Sequence, residues 1–123
     1  MKYKRVYFKS GFDISIQASK TNYSNPRADI GPYTEVELGF PSAHEPLIIG
    51  YAEDPDNPTE TVYGYVPAGV VQALSIKHGG IEEGEMPPLR IDSNQAAILA
   101  ETLSSFADPL LSEERMWEMW GDI

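Results

Sequence analysis

The hydrophobic pattern of this chain changes its period once, at Pro67, and that change limits the possible fold more than any other feature. Before Pro67, apolar residues recur at every second position in several short runs, which is the spacing of half-buried strands. After Pro67 they recur every three to four positions, which is the spacing of helices. Strands followed by helices, without βαβ alternation, predict an α+β fold: an antiparallel sheet with helices packed against it.

Four to five strands are predicted in the N-terminal two-thirds of the chain. The first two are joined at Ser10-Gly11, a tight-turn signal that predicts a hairpin. Phe12, Ile14 and Ile16 are expected to face the core, with Gln17 facing water. Phe40 is expected to point the same way as Val36 and Leu38, and Tyr63 and Tyr65 are expected to share one face. The predicted strands cover residues 3–9, 12–17, 34–40, 47–51 and 61–66.

Two to three helices are predicted after Pro67, which suits a first helical turn. The first ends at Gly79-Gly80, and an acidic loop follows over residues 80–91. The second covers residues 94–107, with Asp92 or Ser93 as its cap. The third begins at Ser112 and ends at Gly121. The expected buried residues of these helices are Val70, Val71 and Leu74, then Ile98, Leu99, Leu103 and Phe106, then Met116, Trp117 and Trp120.

Length and composition predict a single domain, residues 1–123, with an ordinary apolar core. The chain has 41% hydrophobic and 23% charged residues, as soluble globular proteins do. It has no cysteine, so disulfides, thiolate catalysis and sulfur-based metal sites are excluded. No apolar stretch resembles a signal peptide or a membrane span, and a cytoplasmic location is therefore expected.

Charge is distributed unevenly along the chain. Residues 1–27 carry six basic side chains and one acidic side chain, whereas residues 28–123 carry 18 acidic and three basic ones. The formal net charge of −10 disfavours direct binding to nucleic acid or to an anionic surface. It favours a cationic protein partner, whose association the charge would accelerate.

Three acidic clusters are the strongest candidate for a binding surface. Carboxylates spread over a convex surface can imitate a phosphate track and occupy a basic groove, with nearby tryptophans as apolar anchors. The alternative for the tryptophans is that both close the core. The candidate partner-binding residues are Glu53, Asp54, Asp56 and Glu60, then Glu82, Glu83 and Glu85, then Glu113, Glu114, Trp117, Glu118 and Trp120.

Catalytic, cofactor and metal motifs do not stand out in this sequence. The acidic loop at residues 53–60 fails the EF-hand pattern, because the sixth position counted from Asp54 is Thr59 instead of glycine. His44 and His78 lack a second ligand at metal-binding spacing. No phosphate loop or nucleophile elbow is present. The chain is therefore expected to be non-enzymatic, without cofactor or metal.

The prediction for function is a non-enzymatic, acidic protein–protein interaction module. Its narrower form is an inhibitor that occludes a basic nucleic-acid-binding surface, as phage-borne anti-defence proteins such as anti-CRISPRs do. One alternative is a small-ligand binder, nucleotide-like in its target, lined by Tyr23, Arg27, Tyr33 and Tyr65, with Arg27 as the anion anchor. Another is a homo-oligomeric structural subunit in which the basic segment of one copy meets the acidic body of the next.

Overall fold

The computed structural model describes residues 2–106, and these form a five-stranded antiparallel sheet with two helices. The sheet order is β4-β3-β2-β1-β5. The first helix, α1, is Ala68–Lys77, and the second, α2, covers residues 93–106. The strands are β1 (Val6–Phe8), β2 (Asp13–Gln17), β3 (Glu35–Gly39), β4 (Val62–Pro67) and β5 (Ile81–Glu83). The predicted α+β class is therefore confirmed. The predicted third helix lies outside the described residues.

The hairpin of β1 and β2 forms as predicted. The Phe8 N–H donates to the Phe12 carbonyl at 2.9 Å, and Val6 pairs with Ile14. Phe12, Ile14 and Ile16 are buried, as the alternation of the sequence requires. Gln17 is also buried, so the prediction that it faces water was wrong.

The burial of Gln17 has a local cause. Its side-chain Oε1 accepts the Tyr3 N–H at 2.8 Å, and its Nε2 donates to the Tyr3 carbonyl at 2.7 Å. Both polar groups of the amide therefore have protein partners and need no water. A period-two pattern does not record such a pair, because Tyr3 lies 14 residues away.

A bulge in β4 overturns the prediction that Tyr63 and Tyr65 share a face. Val36 pairs with Val66 and Leu38 pairs with Tyr63, so β4 has one residue more than β3 between the two pairs. The extra residue lets Tyr63 and Val66 both face the core while Tyr65 is 44% exposed.

Phe40 was also predicted incorrectly. β3 ends at Gly39, and Phe40 then adopts a left-handed conformation with φ 52°, which turns its ring outward to 51% exposure. Its backbone N–H still donates to the Thr61 carbonyl at 3.0 Å, so the chain continues beside β4 without continuing the strand's alternation.

Residues 47–51 form a turn and a short 3₁₀ helix (Ile49–Tyr51) instead of the predicted strand. Their backbone bonds are local, such as Tyr51 N–H to the Ile48 carbonyl at 2.9 Å, and Ile48 alone is fully buried. Conversely, the predicted loop at residues 80–91 contains β5, which pairs with β1. A three-residue edge strand needs only backbone pairing, so it leaves little apolar signal in a sequence.

The core lies between α1 and one face of the sheet. Val70, Val71 and Leu74 are buried against the inward side chains of the strands, as predicted. α1 begins directly after Pro67, and Gly79 follows its C-terminal end with φ 83°, a conformation that suits the end of a helix. Among residues 2–106, neither helix has the length and hydropathy that a membrane-spanning segment requires.

α2 packs across α1 at Gly69. An added Cβ on Gly69 would lie only 2.4 Å from the Gln95 backbone carbonyl oxygen, so the two helices approach backbone to backbone. Asp92 Oδ1 accepts the Gln95 N–H at 2.9 Å, which confirms the predicted cap.

The apolar side of α2 was predicted to be buried, but it is only half-buried. An open groove of about 640 Å³ separates part of α2 from α1 and the 3₁₀ helix. The half-buried residues are Ile98, Leu99, Leu103 and Phe106.

Candidate functional site

One face of the sheet has no helix over it within the described part of the chain. Side chains that lie directly opposite one another in an antiparallel pair share a face. Tyr7 lies opposite both Asp13 and Glu83, and Gln17 lies opposite Glu37, so these positions point away from the core. We call this surface the open face; it consists of Arg5, Tyr7, Asp13, Ser15, Glu37 and Glu83.

The open face is predominantly acidic. Arg5 Nε pairs with Asp13 Oδ1 at 2.7 Å and also donates to the Phe40 carbonyl, so it neutralises Asp13 locally. The Glu37 carboxylate accepts the Asn22 side-chain amide at 3.0 Å and the Tyr23 N–H at 3.2 Å. Both donors are neutral, so the negative charge of Glu37 remains.

Two exposed aromatic residues border the open face in a strained backbone conformation. Phe40 has φ 52° and Tyr65 has φ 51°. A bulky residue in this region costs about 1–3 kcal/mol and persists only where the surrounding structure enforces it. Here the Arg5 side chain holds the Phe40 carbonyl, and the Tyr65 N–H donates to the Tyr23 carbonyl at 3.0 Å. The fold thus holds two aromatic rings toward solvent at an energetic cost.

The residues proposed for a small ligand are only partly brought together. The Tyr23 and Tyr65 ring centroids lie 5.7 Å apart, and the Arg27 guanidinium carbon lies 5.3 Å from the Tyr23 centroid. All three are solvent-exposed. Tyr33 is fully buried, and its hydroxyl donates to the Ala28 carbonyl at 2.8 Å. Burial, more than its neighbours Tyr3 and Asp29, raises the pKa of Tyr33.

The acidic clusters lie at opposite edges of the sheet. The first occupies the loop that leads into β4, and the second lies on and just after β5. Because neighbouring strands are about 4.8 Å apart, the two outermost strands are roughly 19 Å apart along the sheet. The clusters are therefore separate, with the open face between them. The third cluster, Glu113, Glu114, Trp117, Glu118 and Trp120, lies outside the described residues.

The individual acidic residues of the first two clusters are exposed. They are Glu53, Asp54, Asp56 and Glu60 at one edge, and Glu82, Glu83 and Glu85 at the other. Asp54 is engaged within its own loop, accepting the Asn57 side-chain amide at 2.9 Å. Within residues 2–106, no group of three or more His, Cys, Asp or Glu residues is placed to hold a metal ion.

A second polar site, absent from the sequence-based predictions, joins the hairpin turn to the end of α1. Ser10 Oγ lies 2.8 Å from His78 Nδ1, and His78 Nε2 lies 2.7 Å from Glu45 Oε1. Lys77 Nζ lies 3.0 Å from the same carboxylate. We call these four residues the histidine cluster.

The packing of the histidine cluster explains why it forms. The end of α1 meets the hairpin because the Ser10 N–H donates to the His78 carbonyl at 3.0 Å. The imidazole stacks on the Phe12 ring, with 4.4 Å between centroids and 16° between planes. The cluster lines a cavity of about 460 Å³. Its hydrogen-bonded pairs are 32 to 68 residues apart in sequence, so no local motif could have revealed them.

Glu45 is the buried charge of this cluster, with a side chain only 2% exposed. Burial alone would raise the pKa of Glu45. The Leu47 N–H, His78 and Lys77 all donate to the carboxylate, and together they outweigh burial and lower its pKa. Glu45 therefore anchors the imidazole as an ionised group.

No family model, no curated protein and no solved structure matches this chain.

Proposed function

We propose that this chain is a non-enzymatic protein–protein interaction module that binds a cationic protein surface through the open face. One observation carries the proposal: Phe40 and Tyr65 are held toward solvent in a strained conformation beside an acidic sheet face. Strain of this kind clusters at binding sites. Exposed aromatic residues are also the usual anchors of protein interfaces.

Charge complementarity selects the partner. The chain carries a net charge of −10, and acidic clusters border the open face at both edges of the sheet. A basic surface would be drawn to this face, and its aromatic rings would then supply most of the affinity. In the narrower form of the proposal, the basic surface is one that otherwise binds nucleic acid, and the chain inhibits it by occlusion, as an anti-CRISPR-like inhibitor would.

The test compares which proteins matched variants capture from a cell lysate. Tyr7→Ser removes an open-face ring that is 42% exposed, and Ile76→Ser removes a 51% exposed apolar side chain from α1. Similarly, Glu83→Gln removes an open-face charge, and Glu101→Gln removes an exposed charge from α2. Captured proteins are identified by mass spectrometry at low and high salt.

We expect the wild type and both helix variants to capture the same basic protein, and both open-face variants to lose it. Capture should weaken steeply with salt, because the attraction is electrostatic. If nucleic acid competes for the captured protein, the occlusion form is supported. Equal capture by all variants would reject the open face as the interface. Capture that salt does not weaken, without competition by nucleic acid, would reject the occlusion form and leave the interaction itself intact.

A small-ligand function is the second candidate, because Tyr23, Arg27 and Tyr65 converge on one exposed surface. Exposed aromatic rings beside a guanidinium suit a planar anion such as a nucleotide. A thermal-shift panel of nucleotides against the wild type and Arg27→Gln tests this. A shift that disappears in the variant supports the second candidate, and the absence of any shift removes it.

A further inference from the structure

We propose that Ser10 is an activated nucleophile, a site that accepts phosphonyl or acyl groups from electrophiles that enter the cavity beside it. The proposal rests on the histidine cluster and is independent of the open face. Ser10, His78 and Glu45 form a continuous hydrogen-bonded chain of hydroxyl, imidazole and buried carboxylate. A histidine held by a carboxylate can activate a serine hydroxyl in this way, and here Nδ1 faces the serine while Nε2 faces the carboxylate.

The carboxylate determines which imidazole nitrogen can act as the base. Glu45 is ionised and accepts a hydrogen bond, so His78 Nε2 must carry the proton between them. His78 Nδ1 then has a free lone pair that faces Ser10 Oγ at 2.8 Å. Stacking on Phe12 holds the ring in this orientation. The cluster is thus arranged for proton transfer from Ser10.

Access to the hydroxyl is also provided. Ser10 is solvent-exposed, and the cavity of about 460 Å³ is lined by Ser10, His78 and the loop that contains His44. The Phe12 N–H donates to Ser10 Oγ at 3.2 Å, which fixes the side chain toward the imidazole.

The proposed step is a single covalent transfer. With a phosphonofluoridate, Ser10 Oγ attacks phosphorus and forms the P–O bond. The P–F bond breaks, and fluoride leaves with the electron pair. The proton of the hydroxyl moves to His78 Nδ1, and Glu45 stabilises the resulting imidazolium ion.

The experiment treats the full chain with a fluorophosphonate probe and locates the adduct by peptide mass spectrometry. Ser42 is an internal control, because it lines the same cavity and, like Ser10, accepts a backbone N–H, from Asp13 at 3.0 Å, whereas the hydrogen bond to His78 belongs to Ser10. General-base assistance contributes about 100-fold or more, so we expect Ser10 to label about 100 times faster than Ser42. Ser10→Ala should abolish the fast adduct.

A second variant separates chemistry from structure. His78→Asn keeps a polar group close to the Nδ1 position but removes the base, so the Ser10 rate should fall to the Ser42 rate. The melting temperature of the variant is measured to confirm that it folds. Equal rates at Ser10 and Ser42 in the wild type, or an unchanged Ser10 rate in a folded His78→Asn, would overturn the proposal.

Discussion

Glu45→Gln is the substitution for which the structure gives the clearest energetic expectation. The buried carboxylate accepts hydrogen bonds from the Leu47 N–H at 2.9 Å, from His78 at 2.7 Å and from Lys77 at 3.0 Å. Hydrogen bonds to a charged group contribute about 1.5–3 kcal/mol each. The glutamine amide keeps one acceptor oxygen, but an NH2 group replaces the other oxygen. That NH2 group is a donor and must face at least one of the donors that now bind the carboxylate.

The net cost follows from these contacts. The variant loses one charge-assisted hydrogen bond and places two donors against each other, and these costs outweigh the benefit of no longer burying a charge. We therefore expect a loss of about 3 kcal/mol in the free energy of unfolding. That is a large part of the stability of a domain this size. Urea unfolding at pH 7, followed by circular dichroism, measures it, and an unchanged slope would show that the folded state is intact.

The matched control is Glu53→Gln, which removes the same charge from an exposed loop residue. Its effect should stay within about 0.5 kcal/mol. A loss below about 1 kcal/mol for Glu45→Gln would refute the reasoning, because it would mean that burial of the carboxylate cancels its hydrogen bonds.

Three further outcomes are expected. The pKa of Glu45 is lowered from its ordinary value of 4.5, so the stabilisation by its carboxylate is complete above about pH 4.5 and is lost as the pH falls through the lower folded-state pKa. The difference in unfolding free energy between the wild type and Glu45→Gln, measured by urea titration, should therefore narrow below that pH. A constant difference from pH 7 to pH 3 would contradict this. Gly69→Ala should cost about 2 kcal/mol, because its Cβ would meet the Gln95 carbonyl at 2.4 Å. Thermal unfolding should show no such loss for Gly50→Ala, which has no atom within 4 Å of an added Cβ. Phe40→Asn should raise the unfolding free energy by about 0.5–1 kcal/mol in urea, since asparagine tolerates φ 52° better than phenylalanine; a loss above 1 kcal/mol would show that the ring stabilises the fold.

Local patterns account for the elements that were predicted correctly. The β1–β2 hairpin, the start and end of α1 and the cap of α2 each depend on residues a few positions apart. Turn, helix-start and helix-stop preferences act over that same range, so these features can be read from the chain directly.

The errors have a common cause in long-range pairing. β5 exists because β1 offers it a partner, and the bulge in β4 exists because β3 and β4 differ by one residue between their matched pairs. One inserted residue reverses the direction of the side chains around it, and this exposed Tyr65 while Tyr63 stayed buried. The hydrophobic periodicity of one strand carries no information about the register that the neighbouring strand imposes.

The candidate sites divide in the same way. Tyr23, Arg27 and Tyr65 were named from residue type alone, and only the folded chain separates them from the buried Tyr33. The first two acidic clusters were named from the sequence, but only the fold shows that part of the second lies on β5 and that the two lie at opposite edges of the sheet.

By itself, the sequence determined the class of fold, the core-facing side of α1 and the excess of negative charge, because periodicity and composition act locally or additively. The tertiary structure decided which polar groups meet. Ser10, Glu45 and His78 come together only because α1 crosses the sheet and ends at the hairpin turn. Contacts between residues so far apart in the chain depend on how whole elements pack, and that packing is specified by the complete set of buried side chains.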